Sequence, residues 1–255
     1  MKKKIFKVLV PLAVLIAVLF PLSAGSSAMR LQPKDFKGID KIKIESQKTD
    51  MNERTSVTIK TGSAESISGN IADWSVSNGK LKIRPAGDIV ITLLPGSSLE
   101  ELDIEILSGN IRIDSIDSVG EIETVCTTGT TTIRNTFAEN GIQATSTHGR
   151  IIFENASAPE INLNSVIGSI RFRGEAEKLE ASTLLGTMDI DAGKTREIKL
   201  NTARGDMTVK TGNRRPAIDF DTMFGRYDGP ESVKEDADMK IKAHSLDSTL
   251  KVELI

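Results

Sequence analysis

Carboxylates at alternate positions are the residues of this chain best spaced for chemistry. Asp103 and Glu105 stand two residues apart, Glu123 follows one repeat later, and Asp189 and Asp191 show the same spacing. On an extended strand, alternate residues lie about 6.6 Å apart on one face, inside the separation used by paired carboxyl groups in glycoside hydrolysis. A polysaccharide-acting β-helix enzyme is therefore the catalytic alternative. The surroundings argue against it. Lys199 is expected to stack beside Asp219, and Arg112 and Arg171 interrupt the opposite face, so the acids read as parts of a mixed, solvated surface. Sugar binding also favours exposed aromatic platforms, and the chain has only one Trp, one Tyr and eight Phe, several of them in inward slots. As a cation site, Asp103, Glu105 and Glu123 lack the glycine-aspartate loop that would complete a cage.

The remaining reactive residue types are isolated. His148 and His244 fall in different repeats, with His148 just before Gly149, and both read as satisfied or solvated side chains. Cys126 is the sole cysteine, which excludes an internal disulfide, and its slot is one that other repeats fill with Ser or Thr. There is no His-Glu-x-x-His, no Gly-x-Ser-x-Gly and no phosphate loop. The expectation is a chain that is not an enzyme, without catalytic, cofactor-binding or metal-binding residues.

The elements that would position these side chains come from a repeat. Glycine recurs at Gly109, Gly129, Gly149, Gly168, Gly186, Gly205 and Gly225, in steps of 20, 20, 19, 18, 19 and 20 residues. Seven positions earlier stand Leu102, Ile122, Ile142, Ile161, Leu179, Ile198 and Ile218. Alternate residues from that slot are mostly apolar or small and the interleaved ones mostly polar, which is the period of a strand with one buried face. Self-similarity at this spacing predicts a solenoid. Each coil is expected to run strand, glycine turn, strand and variable turn, with the glycine serving a positive-φ turn. Successive coils then stack in parallel at about 4.8 Å. The fold expected is an all-β, right-handed parallel β-solenoid of about 18–20 residues per coil. Ser146, Ser165, Thr183, Thr202 and Thr222, three before the glycine, are expected to form a structural ladder of hydroxyls bonded along the axis.

Four lysines ahead of the uncharged run Val8 to Phe20, followed by small residues ending at Ala24 or Ala28, predict a secretory signal peptide over residues 1–28. Its apolar run of 13 residues is short of the ~20 a spanning helix needs. Removing it leaves 29 basic against 35 acidic residues, a formal charge of −6, so nucleic acid is not an expected partner. Residues 29–100 read as an N-terminal cap with irregular first coils, 101–229 as the regular coils, and 230–255 as a charged loop with closing strands Met239 to Ala243 and Leu250 to Leu254.

The stretch IVITLLPGSSLEELDIEILSGNIRID, residues 89–114, resembles the bacterial "putative adhesin" β-strand-repeat family. The strand ending in Pro95 and Gly96, the Leu99 to Leu102 lead-in and the Ser108-Gly109-Asn110-Ile111 turn carry the resemblance, which covers roughly Ile42 to Thr211. Later repeats depart from the small-residue-glycine form at His148, Ile167, Leu185, Arg204 and Phe224, which weakens any shared ligand at that turn. The resemblance implies an exported or membrane-attached protein with a role in surface attachment. The expected partner is an envelope component, a glycan or a protein, met in the periplasm, at the cell surface or after secretion. End-to-end association through open strand edges is the structural alternative. The charged loop Asp228 to Asp238 and the N-terminal cap favour a monomer.

Overall fold

The computed structural model describes residues 38–46, 53–233 and 236–254, so the expected signal peptide lies outside the described residues. Among them the secondary structure is all β: thirteen strands joined in one sheet, with no helix long and apolar enough to cross a membrane. The central strands β5 (Leu99–Asp114), β6 (Val119–Arg134) and β7 (Ala138–Asp191) each run around the glycine corner without a break, and β7 does so three times. Pairing is parallel and slot for slot. Leu102 lies beside Ile122 and Ile122 beside Ile142, and likewise Gly109 beside Gly129 and Gly129 beside Gly149.

Burial follows the alternation. Ile104, Ile122, Ile142, Ile161, Leu163, Leu179, Ile198 and Leu200 all lie in one continuous core, while the residues between them are half-buried or exposed. Phe153 and Phe172 occupy the same slot in adjacent coils and stack with ring centroids 5.5 Å apart.

The glycine column has a steric cause that the turn argument missed. A Cβ built on Gly129 would lie 1.7 Å from the carbonyl oxygen of Gly109, and on Gly186 it would lie 1.6 Å from that of Gly168. Gly186 has no positive φ, so close approach of coil to coil is the shared requirement. Gly109, Gly129, Gly149, Gly168 and Gly205 do take the positive φ that the turn argument expects, and positive φ recurs at the second corner as well, at Ser115, Asn135, Asn155, Gly193 and Gly212. There Asn155 Nδ2 donates to Asn135 Oδ1 at 2.8 Å, and short polar residues tolerate such φ values.

Both ends depart from sequence order. The coil made by β1 (Lys41–Glu45) and β2 (Thr55–Thr61) inserts between β4 (Lys80–Leu93) and β5, pairing Ile42 with Leu81 on one side and Leu102 on the other. At the far end, β12 (Met239–Asp247) inserts between β8 (Glu197–Arg204) and β10 (Pro216–Thr222). Likewise β13 (Thr249–Glu253) lies between β9 (Met207–Lys210) and β11 (Arg226–Asp228). This corrects the expected contact of Lys199 with Asp219, because Lys242 stands between them in the same row. The inserted coils fill the glycine slot with Thr55 and Ser248, over whose carbonyl oxygens Gly109 and Gly225 pack.

The hydroxyl ladder is also corrected. Ser146, Ser165, Thr183 and Thr202 are buried in one column, but none bonds to its neighbour. Like slots about 4.8 Å apart exceed the ~2.8 Å of an O–H···O bond. The column closes only at its end, where Ser245 Oγ donates to Thr222 Oγ1 at 2.9 Å.

Candidate functional site

The outward acids do not converge. Asp103 pairs with Lys43 on the inserted first coil, Nζ to Oδ2 2.6 Å, and that bond raises the Lys43 pKa above its usual value. Glu123 lies next to Asp103 in the row and accepts from Gln143 Nε2 at 3.4 Å. Partial desolvation, then the charges of Asp103 and Glu121, push its carboxyl above the ordinary range. Glu105 stands between Glu45 and Val125. Asp189 faces Arg171 at 3.6 Å, and Asp191 accepts from the Gly193 N–H at 3.4 Å. Asp103 and Asp189 are matched by basic partners while Glu123 sits among other acids, and neither of the two best-formed surface depressions among the described residues is lined by any of the five.

His148 is exposed on the corner beside Gly149. His244 Nδ1 lies 3.8 Å from Asp221 Oδ2, and both side chains are largely exposed. Ser245 follows it directly, yet consecutive strand residues point to opposite faces, and its hydroxyl is bound to Thr222. Asp221, His244 and Ser245 therefore make no proton relay, although they border one shallow depression of about 390 Å³. Burial pushes the Cys126 thiol up to about 11, which keeps it protonated and unreactive.

The outstanding surface feature is apolar. The two residues before each corner glycine line one edge, and in the C-terminal half they are Val166 and Ile167, Leu184 and Leu185, Ala203 and Arg204, and Met223 and Phe224, all exposed except the half-buried Ala203. Leu246 joins them from the inserted β12 coil. The coils are consecutive in space: Leu185 lies beside Arg204, Arg204 beside Asp247, and the Phe224 N–H donates to the Leu246 carbonyl at 2.9 Å. The ridge thus crosses five coils, roughly 19 Å at the strand spacing, with Met223 69% and Phe224 74% exposed at its end. An ion pair of Arg204 with Asp247, 3.6 Å, crosses it. In the N-terminal half the same positions are mostly polar or shielded: Ser108, Thr127, Thr128, Thr147 and His148. The ion pair divides the ridge into two exposed apolar clusters, Val166 to Leu185 and Met223 to Phe224 with Leu246, and exposed apolar clusters of this kind mark interaction sites. Sequence reasoning registered the departures at Ile167, Leu185 and Phe224 but did not see that the fold lines them up.

Comparison with known proteins adds the following. Residues 86–254 match the family described as Toastrack DUF4097. No curated protein matches the chain. A putative adhesin from Parabacteroides distasonis ATCC 8503 is similar in structure, with TM-score 0.51 and 11% identity over 89% of this chain and 96% of that one. A putative adhesin from Bacteroides fragilis NCTC 9343 shows TM-score 0.47 and 13% identity over 90% and 98% of the two chains. A putative lipid binding protein from Parabacteroides distasonis ATCC 8503 shows TM-score 0.47 and 13% identity over 89% and 96%. At such identities the likeness speaks to the fold alone.

Proposed function

The chain belongs to the Toastrack DUF4097 family, and on that premise we propose that it is a non-enzymatic, exported β-solenoid scaffold that binds a component of the cell envelope. The apolar ridge from Val166 to Phe224 carries this reading. Seven large apolar side chains held in water on one edge lose solvent contact only by meeting another surface, at about 25 cal/mol per Å² buried. The depressions that border this edge, beside Met223 and Leu246 and beside Phe224 and Arg204, are wide open to solvent, a shape that suits the groove or apolar face of a larger partner. The putative adhesin from Parabacteroides distasonis is consistent with attachment, and Asp103 and Asp189 are taken up by Lys43 and Arg171. The proposal includes the right-handed winding expected of parallel crossovers, and a place in the periplasm, at the surface or outside the cell.

The test is photo-crosslinking on living cells, with a benzophenone side chain placed at Phe224 or, as control, at Asn162 on the polar face. A discrete adduct from position 224 that is missing from position 162 is the expected result. The same adducts from both positions would remove the ridge as the contact surface.

A further inference from the structure

The two ends of the solenoid are finished differently. At the C-terminal end the start of the outer edge of β10 is covered by its own loop: the Ile218 N–H donates to Ser232 Oγ at 2.8 Å, and that hydroxyl donates to the Ile218 carbonyl at 3.0 Å. The Val233 N–H reaches the Pro216 carbonyl, and the Tyr227 hydroxyl donates to the Pro230 carbonyl. At the N-terminal end the last strand is β3 (Ser66–Ser77), antiparallel to β4. Among the described residues β3 pairs with nothing else, so its outer backbone edge is open. The register shifts between Gly69 and Asp73 fall where the coil turns its corner and leave Asp73 to Ser77 as a straight arm, paired with Lys80 to Arg84. Proteins usually block such an edge with Lys or Pro. From Ser66 to Ser77 there is no Lys, Arg or Pro, and the single charge, Asp73, is matched by Arg84 at 3.6 Å.

We propose that the Asp73–Ser77 arm is a dimerisation edge that pairs antiparallel with the same arm of a second copy, about a twofold axis at Ser75. An antiparallel strand is complementary to itself under such an axis, and the register that suits these residues is the one centred there. Ser75 then faces Ser75 of the second copy. Trp74 faces Val76 of the second copy, an aromatic and β-branched pair of the kind that stabilises sheets. Asp73 faces Ser77 of the second copy, so no like charges meet. Trp74 is half-buried against the end of the core and Val76 is 45% exposed, so pairing also covers the open end of the apolar interior. Because pairing about a twofold axis uses the same arm of both copies, the association stops at two copies. The paired arm, Asp73 to Ser77, is roughly 17 Å long and about 10 Å deep, or roughly 170 Å² per copy, far below the ~800 Å² per partner of a standard stable interface. The dimer is therefore weak and fully reversible, assembling toward the millimolar end of the concentration range. This differs from the monomer expected of the sequence, which assumed both ends blocked.

The test uses the chain that begins after Ala28. Light scattering from about 1 µM to about 1 mM should show the mass rise twofold and stop, and the emission of Trp74, the sole tryptophan, should shift to the blue over the same range. Ser75→Cys should give a disulfide-linked dimer on mild oxidation, since paired residues across an antiparallel arm have Cα atoms within disulfide reach and the only native thiol is buried. Ser68→Cys, exposed on the other arm, should not. Val76→Lys should stay monomeric throughout with an unchanged β spectrum. A mass that stays single at the highest concentration overturns the proposal, as it would if the preceding segment of the chain covered this edge. Linear multimers, or equal crosslinking at positions 68 and 75, also overturn it.

Discussion

Gly129 lies over Gly109 so closely that a methyl group on its Cα would sit 1.7 Å from the Gly109 carbonyl oxygen. That oxygen belongs to the backbone of the neighbouring coil and cannot swing aside. Gly129→Ala should therefore force the adjacent coils away from each other and cost about 3 kcal/mol or more, among the large effects reserved for specific steric causes. Gly96→Ala meets nothing within 4 Å and carries only the strain of φ +76°, which costs about 1 kcal/mol. Thermal melting of the two variants checks this; equal melting temperatures would show that the corner is looser than its geometry.

Strand register is tested by neighbours. Leu163 is fully buried and Asn162 is not. Leu163→Asp gives up ~2 to 3 kcal/mol of burial and adds the desolvation of a charge, whereas Asn162→Asp should stay within about 0.5 kcal/mol. Denaturant unfolding that placed both midpoints together would mean the wrong face has been assigned to the core.

A pH dependence follows from Glu123, whose carboxyl is held above its ordinary value by desolvation and by Asp103 and Glu121. A carboxyl raised in the folded state favours folding below its unfolded pKa and loses that contribution as pH rises through the folded value. Glu123→Gln should thus melt above the parent at pH 7 and converge with it toward pH 3. A variant that gained most at acid pH would reverse the sign and refute the crowding of negative charge in this row.

The arms of the coils were legible because a period of two with a recurring glycine leaves little else possible, and Leu102, Ile122 and Ile142 do stack in register. The order of the end coils was not. Parallel slots accept any chain segment with the right alternation, so Ile241 sits between Ile198 and Ile218 although it comes last in sequence. Nothing local to Met239 to Ala243 distinguishes insertion from simple addition. The same holds for Lys43, whose partner Asp103 is 60 residues away. The ridge left one readable signal, the change from Thr128 and His148 to Ile167, Leu185 and Phe224 before the glycine. Its meaning came only when the coils were placed side by side and the protruding face of the corner was known.

Absence of catalysis is tested directly on the acids. The chain that begins after Ala28 should release no reducing sugar from pectin, alginate, peptidoglycan or host glycans overnight. General acid or base groups contribute about 10² to 10⁴ each, so a reproducible product that vanished in the amide variant of Asp103, Glu105, Glu123, Asp189 or Asp191 would make this protein an enzyme.

The central claim is that recognition runs through the apolar ridge. Its most direct measurement is the equilibrium binding of the labelled chain to an isolated envelope fraction, for the parent and for Leu185→Ser combined with Phe224→Ser. Both side chains are exposed, so folding and melting should be unchanged while binding falls at least tenfold, equivalent to about 1.4 kcal/mol. Undiminished binding by the doubly substituted chain, with its fold intact, would contradict the account.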